Sequence, residues 1–487
     1  MTHDLTPHAP KTRLLGWSEN MLDLQDRLSG LALSQPLYLI GGAVRDAFLH
    51  LPIKDMDLAV PDDAVAIARQ IANAFNGDVF VMDEERQVAR VLLTIADQPL
   101  TVDVAKFRGD DLLADLLGRD FTVNAMAVDL LTDPELLIDP LNGEADATQK
   151  VIRRCAPNAI ADDPIRALRA VRQSTQLQFR IEPQTIADIH LYGSELIKTS
   201  PERIRDEFFT ILSLGRAHVA LKVLHTLGLL QLIVPPIQEL ESMSLPTPHV
   251  FGAWKQAIET VQQLHGIIET ISYRRNDSTA ATFAFGMLAM QLDRFRQPLN
   301  DHLAKTHANG RPHTTLLILA GLLHRIPDAV IVAGQIADGL RLSKPEKNVL
   351  MTMIAHYQQA QTLDYRSPLS VHRFWHALKE GGLDAILLGL ADDLATYGPQ
   401  LNQDWWLSQV ERALMLCVVY YEQQETVVNP PLLLDGNDLM AELSLQGGRI
   451  IGELLTLLRE AQVVGIVKNH EQALALAQQY LDQHDAV

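Results

Sequence analysis

The sequence predicts an α+β chain: a compact head built on a small mixed sheet with helices, followed by helical segments alone. Two observations carry this. Between residues 37 and 137 short apolar runs of strand length recur (LYLI, MDLAV, GDVFVMD, ARVLLTI, LTVDVAKF, VNAMAVDLL), broken by helical patterns at 64–75 and 112–117. After Ile160 nearly every segment has helical period instead. Proline-rich breaks at 234–236, 245–249 and 429–431 divide that helical half.

Residues 1–35 hold one amphipathic pattern, 17–33, expected as a helical extension packed on the next segment of the chain. The head is expected over 36–158, its sheet covered on part of its surface by the two helical patterns. Residues 139–143 (DPLNG) read as a turn, since Asp, Pro, Asn and Gly each favour one for a separate steric reason. A helical neck is expected over 159–230, a body over 231–366 and a tail over 367–487, with a further break near 428.

At 487 residues the chain has material for several cores. Its two cysteines, Cys155 and Cys417, provide neither a disulfide framework nor a cysteine zinc site. The opening MTHDLTPHAPKTR lacks the apolar block of a signal peptide, and runs such as 316–323 are too short to span a bilayer, so a cytoplasmic protein without a membrane partner is expected. A net charge of −19 argues against coating nucleic acid by bulk electrostatics. Cations nevertheless outnumber carboxylates between Lys150 and Lys222 (Arg153, Arg154, Arg180, Arg203 and Arg205 among them). That region reads either as solvated helix faces or as the place for an RNA backbone.

The stretch 37–60, LYLIGGAVRDAFLHLPIKDMDLAV, holds the densest chemistry. Asp55 and Asp57 are two apart on a strand pattern, so both carboxylates leave one face. Held that close they repel unless a cation sits between them, and a magnesium ion with a nucleoside triphosphate meets that need. Gly41 and Gly42 let backbone N–H groups approach phosphates, and Arg45 can add charge-assisted bonds. The G-x-G-x-x-G spacing of a dinucleotide fold is missing. A lone D-x-D is common at strand ends. Asp103, in LTVDVAKFR, reads either as a third carboxylate completing a two-metal site or as a solvent-facing acid on an edge strand.

Two further clusters carry polar chemistry. RDFTVNA (119–125) reads as a polar network touching a ribose or phosphate through Arg119, or as a strand entry with its own capping bonds. In DDPIRALRAVR (162–172) Pro164 marks a first helical turn, Asp163 is expected as its N-cap, and Arg166, Arg169 and Arg172 form one ridge. That ridge is either an exposed basic stripe or a base reader. An Asp163–Arg166 pair can select cytosine and adenine, because the carboxylate accepts from an exocyclic amine while the guanidinium donates to ring acceptors.

In their order and spacing these clusters resemble the class II tRNA nucleotidyltransferase and bacterial poly(A) polymerase family. The resemblance runs through GGAVRD…KDMD, RDFTVNA, DPLNG…VIR, DDPIRALRAVR, SPERIRDEFFTILSLGRAHVALKVLHTLGLLQLIVP and the closing PPLLLDGNDLMAEL…GRIIGELLTLLREAQVVG. It implies a polymerase-β-like nucleotidyltransferase head, helical neck, body and tail that hold tRNA, and addition of CMP or AMP from CTP and ATP to an RNA 3′ end. It implies magnesium ligands at Asp55 and Asp57 and a third carboxylate at Asp103. Nucleotide contacts are implied at Gly42, Arg45, Arg119, Asp163, Arg166, Arg169 and Arg172. Gly118 stands where many members carry a second cation before the Asp-Phe-Thr. LAGLLHRIPD (319–328) looks like the His-Asp signature of the metal-dependent phosphohydrolase domain of some relatives, with Arg325 in the metal-binding Asp position and Ala253 near the place of an upstream histidine. A degenerate body without hydrolase activity is therefore expected.

Overall fold

The computed structural model describes residues 11–31, 33–53, 55–95, 97–273 and 282–484. The first ten residues of the polar opening, Ala32 of the 17–33 pattern, and Lys54 of KDMD lie outside them. The chain forms two compact units, one running to Leu214 and taking in Val219–Ile233, the other comprising Gly215–His218 and everything from Val234. Among the described residues no helix is long and apolar enough to cross a membrane.

The first unit is organised on an eight-stranded sheet. Its strands are β1 (Lys11–Thr12), β2 (Tyr38–Ile40), β3 (Asp55–Val60), β4 (Asp78–Asp83), β5 (Val88–Ile95), β6 (Gln98–Lys106), β7 (Ala127–Asp129) and β8 (Asp133–Ile138), in the order β1-β8-β7-β2-β3-β6-β5-β4. Only β3 and β6 run parallel; the other neighbours are antiparallel. Alternation along the strands divides the faces. Met56, Leu58, Val91, Val102 and Val104 turn to a core closed by α1 (Glu19–Ser29), α2 (Gly42–Phe48) and α3 (Ala64–Phe75). The opposite face buries only a small patch of Ile40, Ala59, Leu116, Ala125 and Ala127, with Leu116 supplied by α4 (Leu112–Leu117).

Helix α1 is shorter than the 17–33 pattern because the Ser18 side chain accepts from Met21 N–H and starts it there, and it stops at Gly30. The expected strand VNAMAVDLL is also shorter. Thr122–Asn124 is a 3₁₀ turn, since Thr122 Oγ1 donates to Asp146 Oδ2 (2.7 Å) and Asn124 Nδ2 to Asp120 Oδ1 (3.0 Å), and β7 begins only at Ala127.

After α5 (Gly143–Gln149), the short strands β9 (Val151–Ile152) and β10 (Arg180–Ile181) pair in parallel around α6 (Ala159–Asp162) and α7 (Ile165–Leu177), and α8 (Pro183–Tyr192) and α9 (Pro201–Leu212) come next. Asp139 accepts from the N–H groups of Gly143 (2.7 Å) and Glu144 (2.9 Å), closing the DPLNG turn. Gly143 is obligatory there, as a Cβ would stand 2.2 Å from the Thr122 carbonyl. The elements of the second unit, among its described residues, are helices joined by loops, with one isolated bridge between Thr306 and Pro312.

Candidate active site

Asp55 and Asp57 leave β3 on the face opposite the main core, as their spacing requires, and both are exposed. The parallel β3–β6 register sets Asp57 beside Asp103 and Asp55 beside Thr101, so three carboxylates share one patch of sheet. Limited solvation raises the Asp57 carboxyl above its ordinary range; Arg119 and Arg169 oppose that shift, and the negative charges of Asp103 and Asp55 add to it.

Gly41 turns β2 into α2 with φ +80°, a conformation closed to side chains with a Cβ. A Cβ there would lie 3.2 Å from Asp57 Oδ2 and 3.3 Å from Arg119 Nη1, so the turn, the carboxylate and the arginine meet at one point. Arg119 is held by Asp115 of α4, to whose Oδ2 it donates from Nε (3.1 Å) and Nη2 (3.0 Å). Gly42 opens α2 with ordinary backbone, and its amide lies at the helix start.

Arg45 has a different occupation from the one its position suggests. It is buried, donates to Asn124 Oδ1 (2.5 Å) and clasps Asp46 Oδ1 from Nε and Nη2, which ties α2 to the 3₁₀ turn. RDFTVNA is likewise mostly an internal network. Asp120, only 6 % exposed, accepts from Phe121 N–H, Asn124 and Gln173 and pairs with Arg169 Nη2 at 2.9 Å. Burial pushes the Asp120 carboxyl up, but Arg169 and the N–H donors outweigh it and hold the group below its usual range.

The ridge on α7 reaches this site. Arg166 donates to the carbonyls of Arg119 (3.1 Å) and Gly118 (2.7 Å), Arg169 pairs with Asp120, and Arg172 pairs with Glu207 of α9. Asp163 is not the N-cap. Pro164 holds that position, no side chain caps α7, and the Asp163 carboxylate pairs with Arg203 Nη2 at 2.8 Å instead. Asp163 and Arg166 therefore share the α7 start, but their side-chain bonds run to different partners.

Reading residues in isolation missed two groups. Arg90 on β5 lies opposite Asp103 and donates to both its oxygens at 2.8 Å, a bidentate clasp that needs the strand register to be seen. Many cations of the 150–222 stretch are already paired: Arg153 with Asp146, Arg154 with Asp188, Arg205 with Asp206. Lys150 and Arg180 stand exposed.

In the second unit, Arg325 takes up Asp392, with Nη2 2.6 Å from Oδ2 and Nε 3.2 Å from Oδ1. His324 Nδ1 lies 2.8 Å from Gly321 O and its Nε2 2.9 Å from Asp392 Oδ1, so both ring nitrogens face oxygens of the protein. Ala253 leaves the place of the upstream histidine without one, and the nearest histidine in sequence stands four residues earlier. His249 Nδ1 meets Thr396 Oγ1 at 3.2 Å, and that hydroxyl also takes Gln256 Nε2 at 2.9 Å.

An eight-stranded sheet of this order, with paired carboxylates beside a Gly-Gly turn and helices after it, is the framework of a nucleotidyltransferase, and known proteins bear out that class. The Poly A polymerase head domain model matches residues 37–153, and the model described as "Probable RNA and SrmB- binding site of polymerase A" matches residues 178–240. The chain is 31% identical to the CC-adding tRNA nucleotidyltransferase of Geobacter sulfurreducens, over 91% of each chain. It is also 31% identical to the A-adding tRNA nucleotidyltransferase of Deinococcus radiodurans, over 91% of this chain and 95% of that one. The solved Thermotoga maritima CCA-adding enzyme complexed with tRNA shares the fold, with a TM-score of 0.60 at 20% identity over 97% of this chain and 100% of that one. The chain belongs to the tRNA nucleotidyltransferase and poly(A) polymerase family.

Proposed function

We propose that this protein adds CMP, AMP or both, from CTP and ATP, to the 3′ end of tRNA. The observation that carries the reading is the β3–β6 register, which gathers Asp55, Asp57 and Asp103 on one open face against the Gly41 turn and Arg119. The near full-length relatives, one CC-adding and one A-adding, support the substrate class and leave complete CCA addition and either partial activity as members of it.

The oxygen-only donor set, crowded with like charge, fits magnesium, and Asp55 and Asp57 would hold it, since Arg90 occupies both oxygens of Asp103. When bound, the ion lowers the pKa of the attacking 3′-hydroxyl and offsets triphosphate charge. The chain's own groups do the rest. The Gly41–Gly42 turn offers backbone amides to phosphate oxygens, and Arg119, fixed by Asp115, presents Nη1 beside Asp57. Asp163 and Arg166 would read the base edge after exchanging their present partners, with Arg169 and Arg172 bracing α7. The division into head, neck, body and tail at 158, 230 and 366 belongs to the same proposal, as does a cytoplasmic location. The body is read as a scaffold without hydrolase activity, because an arginine fills the metal-ligand position. Metal-dependent phosphate release from a cyclic nucleotide by the purified protein would overturn that part.

The test is incubation of the protein with magnesium, labelled CTP or ATP, and tRNA lacking its 3′ end. Extension by the wild type and none by Asp55→Ala is expected. No extension with either nucleotide contradicts the reading and leaves an RNA-binding module, whose tRNA affinity would not respond to nucleotide.

A further inference from the structure

The helix Gly381–Tyr397 carries three buried carboxylates, Asp384 and, two turns on, Asp392 and Asp393, and the surroundings of Asp384 and Asp392 differ in kind. Asp392 is neutralised by Arg325, and both ring nitrogens of its histidine face oxygens of the protein. Asp384 is 1% exposed, and its Oδ1 is met by two imidazoles: His302 Nε2 at 2.9 Å and His313 Nε2 at 2.8 Å. His302 closes the helix Arg296–Leu303 and His313 opens the helix His313–Leu323, so the cluster joins three helices. Both rings are nearly as buried as the acid, at 5% and 3%.

The nitrogens pointing away matter as much. His302 Nδ1 is buried without a partner, and His313 Nδ1 faces His307 Nε2 at 2.9 Å, a nitrogen that accepts as readily as it donates. Each Nε2 sits at donor distance from Asp384 Oδ1, and moving its proton to Nδ1, which on His302 has no partner and on His313 faces His307, would turn the Nε2 lone pair toward an ion. A ring whose outer N–H is braced by a second group, as His313 is by His307, is the usual environment of a metal-ligating histidine. The nearby arginine, Arg311, donates from Nε and Nη2 to Glu346 in its own bidentate pair. A buried carboxylate needs compensation.

From this we infer that His302, His313 and Asp384 form a binding site for a divalent transition-metal ion of the zinc type, distinct from the carboxylate patch of the head. Two imidazoles and one carboxylate are a borderline donor set that zinc accepts and magnesium disfavours. The three ligand atoms lie within 4.8 Å of one another. Ligands around a tetrahedral ion stand about 3.3 Å apart, so each nitrogen–oxygen separation widens by about half an ångström on binding. A fourth position is left to water. Joining the neighbouring helices Arg296–Leu303 and His313–Leu323 to the helix Gly381–Tyr397 far along the chain, the ion would act as a staple rather than a catalyst.

The experiment uses the full chain carrying Asp55→Ala and Asp57→Ala, which removes the head carboxylates as competitors. After EDTA treatment and dialysis it is titrated with Co2+ and then Zn2+, following visible d–d absorption, metal content after gel filtration and the thermal midpoint. The expected result is about one metal per chain, an absorption band that zinc bleaches, and a midpoint that rises with metal. His313→Ala and Asp384→Asn, with folding checked by circular dichroism, are expected to lose the metal at least tenfold. Absence of a band and of retained metal overturns the inference, as does retention unchanged in folded His313→Ala or Asp384→Asn. Should both substitutions prevent folding, the titration of the parent chain decides by itself.

Discussion

Gly41→Ala tests the active-site geometry most sharply when set beside Gly42→Ala. At Gly41 the backbone has φ +80° and ψ −139°, which a residue with a Cβ holds only at a cost of about 1–3 kcal/mol. The new methyl group would also stand 3.2 Å from Asp57 Oδ2 and 3.3 Å from Arg119 Nη1, inside comfortable contact with both. Either group must yield by a few tenths of an ångström. Displacements approaching an ångström at reacting groups cost about a hundredfold in rate. The expected outcome is a lower thermal midpoint together with about a 10- to 100-fold loss of nucleotide incorporation. Gly42 differs in that its backbone is ordinary and a Cβ meets nothing nearer than Arg45 Nη2 at 3.4 Å. Gly42→Ala should keep the midpoint within about 1 kcal/mol of wild type, and if phosphates lie on this turn it should raise the nucleotide KM. The assay is labelled CTP incorporation at saturating magnesium, with thermal melts on the same preparations. Full activity in Gly41→Ala, or an unchanged KM in Gly42→Ala, refutes the placement of the triphosphate at this turn.

Other perturbations have equally definite outcomes. The Asp57 carboxyl sits above its ordinary value, so protons compete with magnesium at a higher pH than at an ordinary aspartate; the magnesium concentration needed for half-maximal activity should rise as pH is lowered, and a flat dependence would contradict this. Glu346 is pulled down to about 2, with Arg311 and Ser343 overcoming its burial. A depressed carboxyl stabilises the fold above the unfolded value of about 4.3 and loses that contribution as pH falls toward 2, so Glu346→Gln should flatten this acid limb of the melting curve. Arg311→Leu leaves that acid buried and unpaired, and should cost about 3–5 kcal/mol in chemical denaturation without touching the head's chemistry. Arg203→Ala frees Asp163 from its one-sided ion pair; a change in the ratio of CTP to ATP incorporation with the midpoint held within about 1 kcal/mol is expected.

The sequence made the head's logic legible where the signal is local. Asp55 and Asp57 are two apart, the apolar residues between and after them alternate, and the helices at 64–75 and 112–117 stand where their periodicity places them. What stayed hidden depends on which segments become neighbours. Arg90 clasps Asp103 only because β5 and β6 pair in one register. Asp163 has the extended backbone a cap needs, but its carboxylate goes to Arg203 of α9 rather than to an N–H of α7, a partner that only packing brings near. The basic stretch counted charges without their partners: Asp146, Asp188 and Glu207 were in the sequence, but the pairs exist only once the helices pack. His249 and Asp392 flank the His324–Arg325 pair from far along the chain on either side, and no spacing rule in that motif finds both.

The central claim is tested most directly by one measurement: nucleotide addition by the purified protein to three tRNA transcripts, lacking the terminal CCA, CA or A. Incorporation from CTP, ATP or both into at least one transcript, dependent on magnesium and absent in Asp55→Ala and in Asp57→Ala, is the result predicted. Incorporation that survives either substitution, or none into any transcript, contradicts the account.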